Sequence, residues 1–211
     1  IQYYCAEQNL HWQDNDWLRE LTWRDFYRQL LTHFPELNKE KPFKPETENL
    51  VWNDSESAFD AWCEGKTGFP IVDAAMRQLV ATGWMHNRLR MVTAMFLSKH
   101  LWLDWRWGES FFMQHLIDGD FAANNGGWQW ASSTGCDAQP YFRIFNPITQ
   151  SEKFDPKGIF IRKYIPELQN IPDKHVHFPH DYIAKNGINS EYWQPIVEHK
   201  EARLRALAFF K

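Results

Sequence analysis

Two stretches of the sequence gather side chains that can do chemistry. The first reads Trp84-Met85-His86-Asn87-Arg88-Leu89-Arg90-Met91. On a helix, Asn87, Arg90, Met91 and Ala94 share one face through i, i+3 and i+4 spacing. An amide and a guanidinium beside a thioether and a methyl group suit the wall of a polar cavity. Arg88 points elsewhere, where it can reach a phosphate. A plain surface helix with solvated arginines gives the same pattern, and spacing alone favours that simpler reading.

The second stretch runs from Leu116 to Trp130, LIDGDFAANNGGWQW. Asp120 is a natural N-cap for the helix after it, which explains it without any chemistry. Asp118 follows an apolar helix and is expected to be partly buried. A buried carboxylate needs a cation, and Arg90 is the candidate. Asn124 and Trp128 lie four apart, hence on one face. Gly126 and Gly127 cost helix stability, a cost that suits close approach of a flat ligand or of a neighbouring backbone. Asp-Gly-Asp also occurs in metal and nucleotide-sugar sites. No further carboxylate or histidine cluster accompanies it, so no metal is expected.

The elements that must hold these residues are helical. Asp14, Asn15 and Asp16 offer caps, and Trp23, Phe26, Tyr27, Leu30, Leu31 and Phe34 recur at helical spacing until Pro35. The charged, proline-punctuated run from Lys39 to Thr47 reads as a loop. Asp54 or Ser55 can cap a short helix carrying Phe59 and Trp62 that stops near Gly65. Pro70 suits a first turn, and Ile71, Val72, Ala75, Met76, Leu79 and Val80 form a stripe ending at Gly83. Further helices are expected over 86–99 and 109–117 and after Asp120. From Asn146 to Asn189 only short helical pieces are expected. A last amphipathic helix carries Ala202, Arg203, Ala206, Leu207 and Phe210. With no strand alternation and no repeat, the fold class is all-α, an irregular multi-helix globule.

Bulk properties narrow the function classes. The 211 residues suit one domain with a sizeable core. The chain begins at Ile1, which points to a piece of a longer protein. Mean hydropathy is −0.59 and no long apolar run occurs, so no membrane is expected. Cys5, Cys63 and Cys136 give neither a disulfide framework nor a metal spacing, and a reducing, cytoplasmic setting follows. A net charge of −4 argues against non-specific coating of nucleic acid but leaves room for a local basic patch. The unusual number is 12 tryptophans beside 16 phenylalanines. Indole needs a partner for its N–H, so the surplus suggests stacking on bases or a flat cofactor, or electron transfer. An aromatic-rich core explains most of them individually.

The strings WMHNRLRM, LIDGDFAANNGGWQW and PYFRIFNP resemble the photolyase and cryptochrome family, most nearly its class I cyclobutane dimer photolyases. RELTWRDFYRQL, EGKTGFPIVDAAMRQL and PIVEHKEAR extend the resemblance from Trp17 to Arg203. It implies an all-helical domain that holds bent FAD under a flipped-out pyrimidine dimer, since chemistry on a base requires taking it out of the stack. It implies light-driven repair of damaged DNA by electron transfer from reduced flavin. By the same resemblance Asn124 faces flavin N5, Asp118 and Arg90 form the ion pair beside the ring system, and Asp120, Gly119, Asn87 and Trp17 complete the cofactor contacts. Glu20 and Trp23 match the dimer pocket. Asn87, Met91 and Trp130 also border the DNA side, and Arg88 and Gln150 fall where relatives meet DNA near the lesion. Trp128, Trp105 and Trp52 match an electron-transfer chain from flavin to surface.

The resemblance also implies two missing parts: an N-terminal α/β antenna domain, and the loop that grips the FAD phosphates. Residues 1–211 are therefore expected to be a truncated helical domain. Alone it should bind FAD weakly or not at all, bind no antenna chromophore, and expose a cut surface that invites pairing with a second copy. The rival reading is a cryptochrome-type blue-light receptor. Asn87 and Met91 argue against animal-type and six-four-type relatives, which resemble each other in carrying histidine in this region.

Overall fold

Asn15 opens the first helix by accepting hydrogen bonds from Trp17 N and Leu18 N at 3.0 and 3.3 Å. The computed structural model describes Glu7 and residues 15–209, so the cap candidate Asp14, Cys5 and Phe210 lie outside the described residues. Helix α1 spans Asp16–His33 and is followed by 3-10 turns at Pro35–Lys39 and Pro45–Thr47. The run from Lys39 to Thr47 read as a loop is irregular chain through Glu40 and Lys44 that ends in the second of these turns. Ser55 caps α2, Glu56–Cys63, by accepting from Ala58 N.

Helix α3, Pro70–Thr82, starts on proline and ends at Gly83, whose φ of 68° is the left-handed C-cap that glycine adopts without strain. Its stripe is buried except for Val80, which is 54% exposed and lies off the core face. Helix α4, Asn87–Met95, runs into a π-helical turn, Phe96–His100, so the helix expected over 86–99 changes its winding partway. Helix α5 spans Trp105–His115. It begins earlier than the expected 109–117 because Asp104 accepts from Arg106 N at 3.0 Å and caps it there. Helix α6 is Phe121–Ser132, and α7 to α10 are Pro147–Phe154, Ile159–Tyr164, His180–Lys185 and His199–Phe209. Among the described residues the only β-type pairing is an isolated bridge between Asn53 and Leu103, and no helix is long and apolar enough to cross a membrane.

The core forms where α3, α4, the π-helical turn, α5 and α6 meet, around Trp62, Phe69, Phe96, Trp105, Phe112 and Trp128. Two buried polar devices brace it. Lys99 in the π turn, fully buried, donates to Ser133 Oγ at 2.9 Å and to the Arg143 carbonyl at 3.2 Å. Burial pushes its ammonium down to about 7. Asp73 on α3 accepts from Thr67 N (2.7 Å), Thr67 Oγ1 (2.6 Å), Gly68 N (3.0 Å) and the Tyr192 hydroxyl (2.6 Å). Four donors hold the carboxylate, while burial raises its pKa to about 6.

Replacing Asp73 by Ala strands four donors on three other residues inside the core, a cost of ~1–3 kcal/mol each. Urea unfolding should show a loss of at least ~3 kcal/mol for Asp73→Ala and a smaller one for Asp73→Asn, which keeps one acceptor. Equal, small losses for both would mean that water reaches the site.

Candidate functional site

A cleft of about 390 Å³ lies between α1 on one side and α4 and α6 on the other. Helix α1 contributes Glu20, Trp23, Arg24 and Tyr27, one stripe at i, i+3, i+4 and i+7. Helix α4 contributes Asn87, Arg90, Met91 and Ala94, the same face that spacing marked out. The α5–α6 link brings Leu116, Asp118, Gly119 and Asp120, and α6 brings Ala123, Asn124, Gly127, Trp128 and Trp130. Asp137 closes one end.

Arg90 Nη2 donates to both oxygens of Asp118 at 2.9 and 2.8 Å, while its Nε donates to the Met85 carbonyl at 2.8 Å. The guanidinium is thereby fixed from two directions. Asp118 is less buried than expected, its side chain being 48% exposed, because it stands on the open link between helices. Asp120 Oδ1 accepts from Ala123 N at 3.1 Å, and its Oδ2 takes Arg28 Nη2 at 2.7 Å. The Arg28 hydrogen bond holds this carboxyl below the usual carboxylate range. The cap reading of Asp120 is correct, and its second oxygen also ties α6 to α1.

Asn124 donates its Nδ2 to the Glu109 carbonyl at 3.0 Å, which fixes the amide plane. Behind it Glu109, 6% exposed, accepts from Asn125 Nδ2 at 2.8 Å, and Asn125 Oδ1 accepts from Gln129 Nε2 at 2.9 Å. Burial raises the Glu109 carboxyl to about 7, against the lowering effect of the Asn125 hydrogen bond.

Other nominated residues do not meet this cleft. Trp17 is 59% exposed at the first turn of α1 and is absent from the cleft wall. Arg88 is half-buried, with its guanidinium 4.8 Å from the Phe154 ring centre, a cation–aromatic contact that spacing could not foresee. Gln150 sits on α7, away from the cleft, with its Oε1 buried. Trp105 is 1% exposed in the core, and half-buried Trp52 packs on Trp102 with ring centres 4.7 Å apart. Trp128 is 2% exposed and lines the cleft floor; its ring neighbours are Phe112 at 5.0 Å and Trp62 at 6.0 Å. Arg24, Tyr27, Asp137, Arg28 and Glu109 were not nominated. Arg24 and Tyr27 continue the Glu20–Trp23 stripe and were legible; Asp137 carries no local signal. Among the described residues no group of three or more His, Cys, Asp or Glu could hold a metal ion.

Comparison with known proteins locates this arrangement. The family model described as the FAD binding domain of DNA photolyase matches residues 17–211. The chain is 61% identical over 195 residues to the deoxyribodipyrimidine photo-lyase of Escherichia coli, covering 92% of this chain and 41% of that relative. It is 52% identical to the Neurospora crassa protein of the same name, covering 92% of this chain and 33% of the other. A class III photolyase structure from Agrobacterium tumefaciens superposes with a TM-score of 0.88 at 46% identity, covering 97% of this chain and 44% of that one. A Synechocystis cryptochrome superposes at 0.83 with 34% identity, covering 94% and 43%. The chain thus spans about two fifths or less of the length of these curated relatives.

The Glu109 carboxyl has a folded pKa above its unfolded one. The folded state therefore holds that proton more tightly, and stability falls as pH rises from about 4.5 to about 7. A displacement of that size corresponds to ~3 kcal/mol. Glu109→Gln does not titrate and keeps an acceptor for Asn125. In urea unfolding it should gain on the parent by up to ~3 kcal/mol between pH 4 and pH 8. A gap that does not change with pH would show that Glu109 keeps the same charge throughout that range.

Proposed function

The chain belongs to the family of the FAD-binding domain of DNA photolyase, and on that footing we propose that it is the catalytic part of a light-driven deoxyribodipyrimidine photolyase. The substrate is then a cyclobutane pyrimidine dimer in DNA, and residues 1–211 are one helical unit of the flavin-holding domain. Dispersed cysteines and a DNA substrate fit a cytoplasmic setting. The observation that carries this reading is the pairing of walls: Glu20 and Trp23 on α1 line the same cleft as Asn124, Asp118 and Arg90.

FAD fits the donor set. The cleft lies near the lower end of the ~300–1,000 Å³ typical of small-molecule sites. Gly127 keeps its wall flat, since a Cβ there would meet nothing within 4 Å. Asn124, with its amide nitrogen committed to Glu109, has its oxygen left to accept from the ring system. Arg90, neutralised by Asp118, flanks the same position, Asn87 and Gly119 border it, and Arg24 offers a cation for phosphate. Asp120 belongs to this set through the link it terminates.

When bound, reduced FAD supplies a light-driven electron that opens the dimer ring and then returns. The chain's own part is positioning. Trp23 stacks on the flipped pyrimidines, Glu20 hydrogen-bonds their edge, and Met91 and Trp130 exclude water from the remaining sides. Trp128, Trp105 and Trp52 serve as a relay that delivers electrons from the surface. Burial of the first two supports this role, because a dry, fixed indole keeps its distance to its neighbours. Arg88 and Gln150, outside the cleft, are assigned to the flanking DNA strand.

The test is cleavage of a thymine-dimer oligonucleotide under near-ultraviolet or blue light by the reduced, FAD-loaded protein that carries this chain. Trp23→Ala should weaken dimer binding by about 10- to 100-fold, the worth of stacking at ~1–3 kcal/mol per base. Trp128→Phe should abolish photoreduction of oxidised flavin while repair by pre-reduced flavin continues. No cleavage by the unaltered, loaded protein would refute the photolyase reading and leave a light-receptor role.

A further inference from the structure

We propose that the ring of Tyr27 and the bare backbone of Gly126 form a bearing that sets where α1, and with it Glu20 and Trp23, stands over the cleft. Tyr27 and Gly126 are positioning residues; the inference rests on the reading that Glu20 and Trp23 meet the dimer. Helix α1 buries none of its side chains. Trp17, Trp23 and Phe26 are exposed at 59%, 39% and 37%, while Leu18, Leu21, Tyr27, Leu30 and Leu31 are half-buried. None of its residues belongs to the buried core cluster, although it carries a whole wall of the cleft. Something else must fix its height and rotation.

Helix α1 packs along α6, and two of the contacts between them bear on the position of the cleft wall. One is the Arg28–Asp120 ion pair, but the Arg28 side chain is 55% exposed, and such pairs are weak and screened by salt. The other is the approach of Tyr27 to Gly126. A Cβ built on Gly126 would overlap Cδ1 and Cε1 of the Tyr27 ring, so the tyrosine lies directly on the helix backbone. The neighbouring Gly127 shows that this is particular to position 126, because a Cβ at 127 meets nothing within 4 Å. A side chain at 126 would have to lift α1 or turn the ring aside.

The bearing also orients the dimer-facing indole. Tyr27 stacks on Trp23, with ring centres 6.0 Å apart and planes 29° apart, and Phe26 holds both edge-on at 5.3 and 5.6 Å. The plane of Trp23 is thus referred through Tyr27 to the backbone of α6, the helix that also carries Asn124. Displacing the ring moves the dimer-facing group relative to Asn124 without touching either.

The test uses the FAD-loaded protein that carries this chain, an oligonucleotide with one thymine dimer, and binding measured in the dark. Gly126→Ala and Tyr27→Ala should each lower dimer affinity about tenfold, the equivalent of ~1.4 kcal/mol, with affinity for undamaged DNA unchanged. Because both act on one contact, the double variant should bind no more weakly than Tyr27→Ala alone. Gln29→Ala, elsewhere on exposed α1, sets the baseline. Should Gly126→Ala fail to fold, Tyr27→Leu keeps apolar bulk without a flat ring and should show the same selective loss. Amide hydrogen exchange along α1, read without DNA, should quicken in both single variants. Unchanged dimer affinity in Gly126→Ala, or losses that simply add in the double variant, would overturn the bearing. A Trp23→Ala protein with full dimer affinity would instead overturn the functional reading, while the exchange measurement would still decide the bearing.

Discussion

The carboxylate of Asp120 carries two loads at once, and the cleft depends on both. One oxygen caps α6 through Ala123 N, so the helix starts at a defined angle. Asn124 then follows one turn in and Trp128 two turns in, each with its direction set by that start. The other oxygen holds Arg28 and ties α1 to the same point. Two residues earlier Asp118 takes Arg90 of α4. The stretch Asp118–Asp120 of the α5–α6 link is thereby fastened to α4 and to α1. Neither pair is deeply buried, so their worth lies in direction more than in free energy.

Behind the cleft the construction is different. Glu109, Asn125 and Gln129 form a buried chain, and Gln129 ends it by accepting from Phe43 N at 2.8 Å. In a low-dielectric setting a fully partnered chain is rigid, because breaking any link strands a polar group. The adjacent asparagines divide the work: Asn125 faces inward to this chain, while Asn124 spends its nitrogen on the Glu109 carbonyl and lines the cleft. One wall is thus stiff, and the opposite wall, α1, is lightly held.

Local signals were legible wherever cause and effect lie within a few residues. Asn15, Ser55, Pro70 with Gly83, and Asp120 mark helix ends because capping is a matter of two or three residues. The Asn87–Arg90–Met91–Ala94 face was legible for the same reason. The start of α5 was not, since the tryptophan-rich run around Asp104 has no clear period to reveal its cap. The π-helical turn was not legible either; its Lys99 reaches Ser133 and Arg143, partners far along the chain. Trp17 and Arg88 illustrate the converse. Each sits in a matching motif, yet exposure in one case and the Phe154 ring in the other were decided by tertiary packing.

The tryptophan surplus has a partly structural origin. Trp62 gives its N–H to the Thr93 carbonyl at 3.1 Å and Trp102 gives its own to Val51, so both satisfy the demand that makes buried indole costly. Trp128 lies against Gly108, where a Cβ would overlap its six-membered ring, just as Tyr27 lies against Gly126. Two glycines on α5 and α6 therefore seat two aromatic rings that face one cleft. Under the proposed function their surroundings differ as the two roles would ask. An electron relay would need a fixed distance, and Trp128, 2% exposed, is held within the α6 wall of the cleft. Admitting a flipped-out base pair needs room to open, and Tyr27 belongs to a helix that buries no side chain. A glycine contact suits both demands, because it brings a ring to a set depth against a helix backbone without adding a side-chain hydrogen bond.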